Sequence, residues 1–151
     1  MTDYKISMRV LGVDVGRRRV GLAISDPSGT IARPLTTLHV RSAADAVARV
    51  LAEVDRLRAE DDGLAVIVVG IPARLDGTPS SETRYVATFI DALTARIPLP
   101  VVSEDERLTS REAESRLAVS ERDWRKRKKN LDAAAAAIIL QDYLDRDGRV
   151  S

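Results

Sequence analysis

Val10-Leu11-Gly12-Val13-Asp14-Val15-Gly16, followed by Arg17-Arg18-Arg19 and then Val20-Gly21-Leu22-Ala23-Ile24-Ser25, is the stretch on which the fold turns. Its first part reads as a strand apolar enough to be buried on both faces, yet a carboxylate stands inside it. A buried charge without a partner costs several kcal/mol. Asp14 therefore calls for a cation, a metal ion or the counter-ion of a bound phosphate. The arginines read as a polar turn and the residues after them as a second strand. Side chains alternate along a strand, so Gly12 and Asp14 share one face, as do Gly21, Ala23 and Ser25. Small residues on that face predict space for an ion, water and phosphate around Asp14.

Outward from this hairpin, Asp26-Pro27-Ser28-Gly29 is a turn, and a third strand spans about Ile31 to Leu38, with Pro34 marking it as an edge. The period then changes. Ser42-Ala43-Ala44-Asp45 resembles a capping box, and Val47, Val50, Leu51, Val54 and Leu57 trace a helical stripe that ends at Asp61-Asp62-Gly63. Ala65 to Val69 is a buried strand leading into Gly70-Ile71-Pro72 and a polar loop. A second helix starts near Ser80 or Ser81, read as caps, and buries Val86, Phe89, Ile90, Leu93 and Ile97. Val101-Val102-Ser103 is a fifth strand, ending in Glu104-Asp105-Glu106-Arg107. A short helix over Ser110 to Leu117 and a final helix over Leu131 to Leu144, capped by Asn130 and closed by Gly148, complete the chain.

A meander followed by two right-handed crossovers makes strands 1, 4 and 5 parallel neighbours. The expected fold is α/β: a mixed five-stranded sheet of order 3-2-1-4-5 with helices on both faces. The predicted division is a tail over 1–8, one domain over 9–147 and a C-terminal tail over 148–151.

Composition narrows the function. The chain has 151 residues, 44% hydrophobic and 31% charged, and a net charge of +1, values of an ordinary single domain. It has no cysteine, which excludes disulfides, thiolate metal sites and cysteine nucleophiles. No run approaches the roughly 20 apolar residues of a membrane helix. A cytoplasmic protein without membrane contact is expected. His39, the only histidine, has no companion and receives no role.

Ligands of open α/β sheets bind at the carboxyl ends of the strands. Asp14 lies near that end of strand 1, and Asp105 and Glu106 lie at that end of strand 5. Asp132, placed in the first turn of the last helix, shares a face with Ala136, Ile139 and Tyr143. Carboxylates from three segments suit a hard divalent cation, Mg²⁺ or Mn²⁺, and such ions support phosphoryl displacement. Taken singly, each acid also fits a structural role: a buried ion pair for Asp14, the helix dipole for Asp132, a solvated loop for Glu104 to Glu106. Two basic blocks, Arg17 to Arg19 and Arg125-Lys126-Arg127-Lys128-Lys129 beside Trp124, suit nucleic-acid phosphate.

The chain resembles the YqgF/RuvX family of RNase H-like proteins, described as Holliday-junction resolvases and as pre-16S rRNA processing nucleases. The resemblance rests on Gly12 to Gly16 with Val20-Gly21-Leu22-Ala23, on Ala32-Arg33-Pro34-Leu35, on Val68-Val69-Gly70-Ile71-Pro72 and Asp76-Gly77-Thr78, on Asp105-Glu106-Arg107-Leu108-Thr109-Ser110, and on Asp132 to Leu140. It spans about Arg9 to Tyr143, in the family's order. It implies an RNase H-like fold and metal-binding, catalytic acids at Asp14, Glu106 and Asp132, with Asp105 as the neighbour competing with Glu106. It also implies a metal-dependent nuclease hydrolysing phosphodiester bonds, in 5′-end processing of pre-16S rRNA during ribosome biogenesis. The alternatives are a Holliday-junction resolvase in DNA recombination and repair, or a non-catalytic ribosome- or RNA-binding factor. Expected partners are an rRNA precursor or branched DNA and the ribosome, with the chain a monomer or a homodimer. Backbone phosphate is assigned to Arg17, Arg18, Arg19, Arg74, Arg107 and Arg125 to Lys129. Two positions depart from the family: Arg17 stands where a Thr is common, and Arg74 where an Asn is common. Sugar kinases, actin and Hsp70 ATPases share the first motif, but they clasp ATP between two such domains and this chain has room for one.

Overall fold

The computed structural model describes residues 8–72, 78–105 and 124–148, with the side chains of 132–146 in the last stretch. Five strands, β1 (Arg9–Val15), β2 (Arg19–Ser25), β3 (Ala32–His39), β4 (Leu64–Ile71) and β5 (Val101–Asp105), form one sheet of order β3-β2-β1-β4-β5. The β1–β2 and β2–β3 pairs are antiparallel, and β1–β4 and β4–β5 are parallel. This is the arrangement the hydrophobic pattern predicts. Pro34 sits on β3, at the sheet's edge, opposite Ala23 and beside a shift in the β2–β3 register. An edge is where a residue without an N–H donor does least harm.

The alternation of β1 and β2 divides the core in two. Leu11, Val13, Val20 and Leu22 are fully buried with α1 (Ala43–Ala59) and α2 (Ser81–Thr94), whose Val50, Val54, Phe89 and Leu93 supply the opposing stripe. The other face carries Val10, Ala23 and Val68 and packs against α3 (Trp124–Tyr143) through Ala136, Ile139 and Leu140. Burying a side chain such as Ile139 or Leu140 contributes about 1.5–3 kcal/mol. Local signals agree with this packing. The Ser42 hydroxyl accepts the Asp45 N–H at 3.1 Å, and the Asp45 carboxylate accepts the Arg41 N–H at 2.8 Å, starting α1. At α2 the Ser80 hydroxyl accepts the Thr83 N–H at 3.2 Å, and the Thr83 hydroxyl accepts the Ser80 N–H at 2.9 Å.

The last helix departs from expectation. It begins at Trp124, so Asn130 is inside it and is not its cap. Arg125 to Lys129 are good helix formers and carry the helix toward its N-terminus, past the Asn. A π-helical turn, Leu144–Gly148, follows it and ends at the predicted glycine. The helix expected over Ser110 to Leu117 lies outside the described residues.

Asp26 organises the β2–β3 turn. Its carboxylate accepts the N–H of Ile31 at 2.8 Å, of Thr30 at 2.9 Å and of Ser28 at 3.3 Å, together with the Ser28 hydroxyl. These donors, the Ile31 N–H foremost, hold its carboxyl down at about 2. A depressed folded pKa gives stability that is complete above the unfolded value of about 4 and is lost as the pH falls through about 2. Asp26→Asn is therefore expected to flatten the acid limb of a thermal-melt series between about pH 4 and pH 2. The effect is small because the turn is solvated. An acid limb identical to wild type would contradict this role.

Candidate active site

Asp14 lies near the carboxyl end of β1, half-buried, directly across from Gly21 of β2. Gly21 is where α3 touches the sheet. A side chain there would land on the Asp132 carbonyl and 2.9 Å from the Ala133 nitrogen. Gly12 admits the same helix one step further along, since a Cβ on it would lie 2.7 Å from Leu140 Cβ and 3.0 Å from the Ala136 carbonyl oxygen. These glycines let the helix backbone settle onto the sheet, and at Gly21 they bring the backbone of Asp132 over the strand partner of Asp14. Over Gly12 and Gly21 the space predicted from the small residues is thus taken by the helix. Small side chains allow close approach of a backbone as readily as they leave a cavity.

Asp132 is not in the first turn of its helix but about two turns in. The N-terminal dipole falls off within the first turn and does not account for an acid there. Ala136 and Ile139 are buried and Tyr143 is half-buried, so the face inferred for Asp132 is the one turned to the sheet. Its partner is Arg19, whose Nε–H donates to Oδ2 at 2.5 Å.

The strand register separates the acids of β5. Gly12 pairs with Val68 and Val68 with Val102, while Gly70 pairs with Glu104 and Ile71 with Asp105. Glu104 therefore shares the sheet face of Asp14, two strands away, about 10 Å between backbones. Asp105 falls on the opposite face with Ile71, which packs against the α1–α2 core. Glu104 is 4% exposed and ion-paired with Arg146. By its place at a strand end Glu104 reads as solvated loop, whereas the structure buries it. Its parity with Val102 was the available signal. Glu106, Arg74 and Arg107 lie outside the described residues, as do the side chains of Arg125 to Lys129.

The arginine turn divides its work. The Arg17 guanidinium lies 4.4 Å over the Tyr85 ring, and its Nε donates to Glu82 at 3.2 Å, tying the turn to α2. Arg19 ties it to α3. The Arg18 carbonyl accepts the Val40 N–H at 2.9 Å, and its side chain is exposed, with no partner among the described residues.

Asp14 and Asp132 offer hard carboxylate oxygens, the donor type that Mg²⁺ and Mn²⁺ prefer. Among the described residues no group of three or more His, Cys, Asp or Glu is arranged to hold a metal ion. Both residues have the donor chemistry of a divalent-ion ligand, and the third expected ligand, Glu106, lies outside the described residues.

The profile of the RuvX family, described as Holliday junction resolvase, matches residues 8–146. A protein of Anaeromyxobacter dehalogenans named "Putative pre-16S rRNA nuclease" is 44% identical over 139 residues, covering 92% of this chain and 98% of its own. One of the same name from Maridesulfovibrio salexigens is 43% identical over 92% of this chain and 99% of its own. Among solved structures, Thermus thermophilus RuvC in complex with a Holliday junction superposes with a TM-score of 0.52 at 17% identity, covering 93% of this chain and 96% of the other. The yeast mitochondrial Holliday junction resolvase Ydc2 gives 0.52 at 12% identity, over 91% and 78%. Both likenesses concern the fold, which is RNase H-like.

Proposed function

Because the chain belongs to the RuvX family, we propose that it is a metal-dependent nuclease that trims the 5′ end of pre-16S rRNA during ribosome biogenesis. The observation that carries this reading is the seating of the Asp132 backbone on bare Gly21, the strand partner of Asp14, which brings a second acidic residue to the same part of the sheet. A structural acid needs no such companion, whereas a divalent ion requires several oxygen donors from separate segments.

In this reading Asp14, Asp132 and Glu106 hold Mg²⁺ or Mn²⁺. Asp105 falls on the face opposite Asp14, whereas Glu104 takes the face of Asp14; a strand prolonged by one residue would give Glu106 the face of Glu104. The bound ion supplies activation of a water and stabilisation of the leaving 3′-oxygen. The chain's own contributions are orientation and charge. Asp14 and Asp132 fix the ion from two rigid elements, and Arg18, with Arg74, Arg107 and Arg125 to Lys129, receives backbone phosphate. Arg17 and Arg19 are engaged within the protein and act on the turn's shape. Ribosomal precursor as substrate fits a cytoplasmic protein that works as a monomer.

The description of the family profile favours a second reading, resolution of four-way DNA junctions, because carboxylates and phosphate contacts treat both nucleic acids alike. Cutting two strands of a junction requires two sites, hence a dimer. A 5′-extended 16S precursor and a four-way junction, offered to the purified protein in one Mg²⁺ buffer, separate the two. The precursor is expected to be trimmed and the junction left intact by a monomer. Paired incisions in the junction by a dimer, with the precursor untouched, would overturn the rRNA assignment.

A further inference from the structure

Asp132 is held from two sides. Its backbone is pressed onto Gly21, which fixes where the side chain begins. Its Oδ2 accepts the Nε–H of Arg19 at 2.5 Å, which fixes where the side chain points. Arg19 is itself anchored. It opens β2, its carbonyl accepts the Gly16 N–H at 2.9 Å to close the turn after β1, and it stands on the same sheet face as Gly21. The pair is only partly solvated, with 37% of the Arg19 side chain and 22% of the Asp132 side chain exposed. Oδ1 of Asp132 has no hydrogen-bond partner among the described residues.

We infer that Arg19 is a positioning residue: by holding Oδ2 of Asp132 it reserves Oδ1 as the oxygen presented to the ion beside Asp14. The inference rests on the reading of Asp132 as a metal ligand. Carboxylates that bind metal are commonly oriented by a hydrogen bond to their second oxygen, and losing that partner weakens metal affinity about 10–100-fold. A plain electrostatic view gives the opposite sign. A guanidinium near a divalent ion repels it, so removing Arg19 would tighten binding.

Isothermal titration of the full chain with Mn²⁺ decides between them, without reference to cleavage. Arg19→Met keeps the side chain as far as the Nε position and deletes the donor. It is expected to weaken Mn²⁺ binding about tenfold. Arg19→Gln places an uncharged N–H donor at the same distance along the side chain as Nε, and is expected to recover most of the affinity. Asp132→Asn is expected to weaken binding alone, and Arg19→Met added to it to cost nothing more, since both act through one carboxylate. Tighter binding by Arg19→Met, equal behaviour of the Met and Gln variants, or additive losses in the double variant would overturn the inference. Wild-type affinity in Asp132→Asn would instead overturn the metal reading beneath it. Should Arg19→Met fail to fold, the Gln variant carries the test: wild-type-like affinity supports the inference, and tighter binding refutes it.

Discussion

Gly21→Ala is expected to be the most destabilising single-methyl change in the described residues, costing about 3 kcal/mol or more. The added carbon would fall on the peptide joining Asp132 to Ala133, and backbone cannot rotate aside as a flexible side chain can. Either α3 lifts off the sheet or β2 bends. Both options open the contact that buries Ala136, Ile139 and Leu140. For a chain of this length that loss lowers the melting temperature by roughly 10 °C. Gly29→Ala is the control. Gly29 has φ +72° and nothing within 4 Å of a built Cβ, so its substitution costs only the backbone strain, about 1–2 kcal/mol. Thermal melts of the two variants check the comparison. Equal losses would mean that the helix does not bear on the sheet at Gly21. The same variant also shifts Asp132, so nuclease activity falls with stability.

Most of the fold was legible because two periods alternate cleanly along the chain. Val20, Leu22 and Ile24 on one parity and Gly21, Ala23 and Ser25 on the other give the two faces of β2 directly, and Pro34 marks an edge through its missing donor. Short connections and right-handed crossovers then leave little choice of strand order. Helix starts were legible where a hydroxyl could satisfy a free N–H, as at Ser42 and Ser80. Asn130 misled by the same logic. It is a good cap by chemistry, but the arginines and lysines before it prefer helix, and continuing the helix satisfies more backbone groups than stopping it.

The candidate site was legible in part. Asp14 stands out as a charge in an apolar run, and Asp132 by its place on the inward face. What the glycines do was not legible, because an absent side chain reads the same whether it leaves room for a ligand or for a neighbouring backbone. Contact between Gly21 and Asp132 joins residues far apart in the chain and appears only on folding. Glu104 escaped because acids at a strand end are ordinarily solvated. The fold pairs it with Gly70 inside the sheet, buries it and gives it Arg146 as a partner. The arginine turn looked like one phosphate-binding block. Its members diverge because successive residues point to different neighbours: Arg17 to Tyr85 and Glu82, Arg19 to Asp132, Arg18 outward.

The central claim is that Asp14 holds a catalytic metal ion, and Asp14→Asn tests it with the least disturbance. The amide matches the carboxylate in size and retains an acceptor oxygen, so the strand and its pairing with Gly21 should persist and the melting temperature should stay within a few degrees of wild type. What disappears is the negative charge. Loss of one charged ligand from the ion removes several kcal/mol of transition-state stabilisation, and about 4 kcal/mol corresponds to roughly 10³-fold in rate. The decisive measurement is the rate of Mg²⁺-dependent cleavage of a 5′-extended 16S precursor by wild type and by Asp14→Asn, side by side, each repeated in EDTA. The account predicts cleavage by wild type alone, abolished by EDTA, with Asp14→Asn slower by about 10³-fold at equal folded content. Cleavage by Asp14→Asn at the wild-type rate would contradict it.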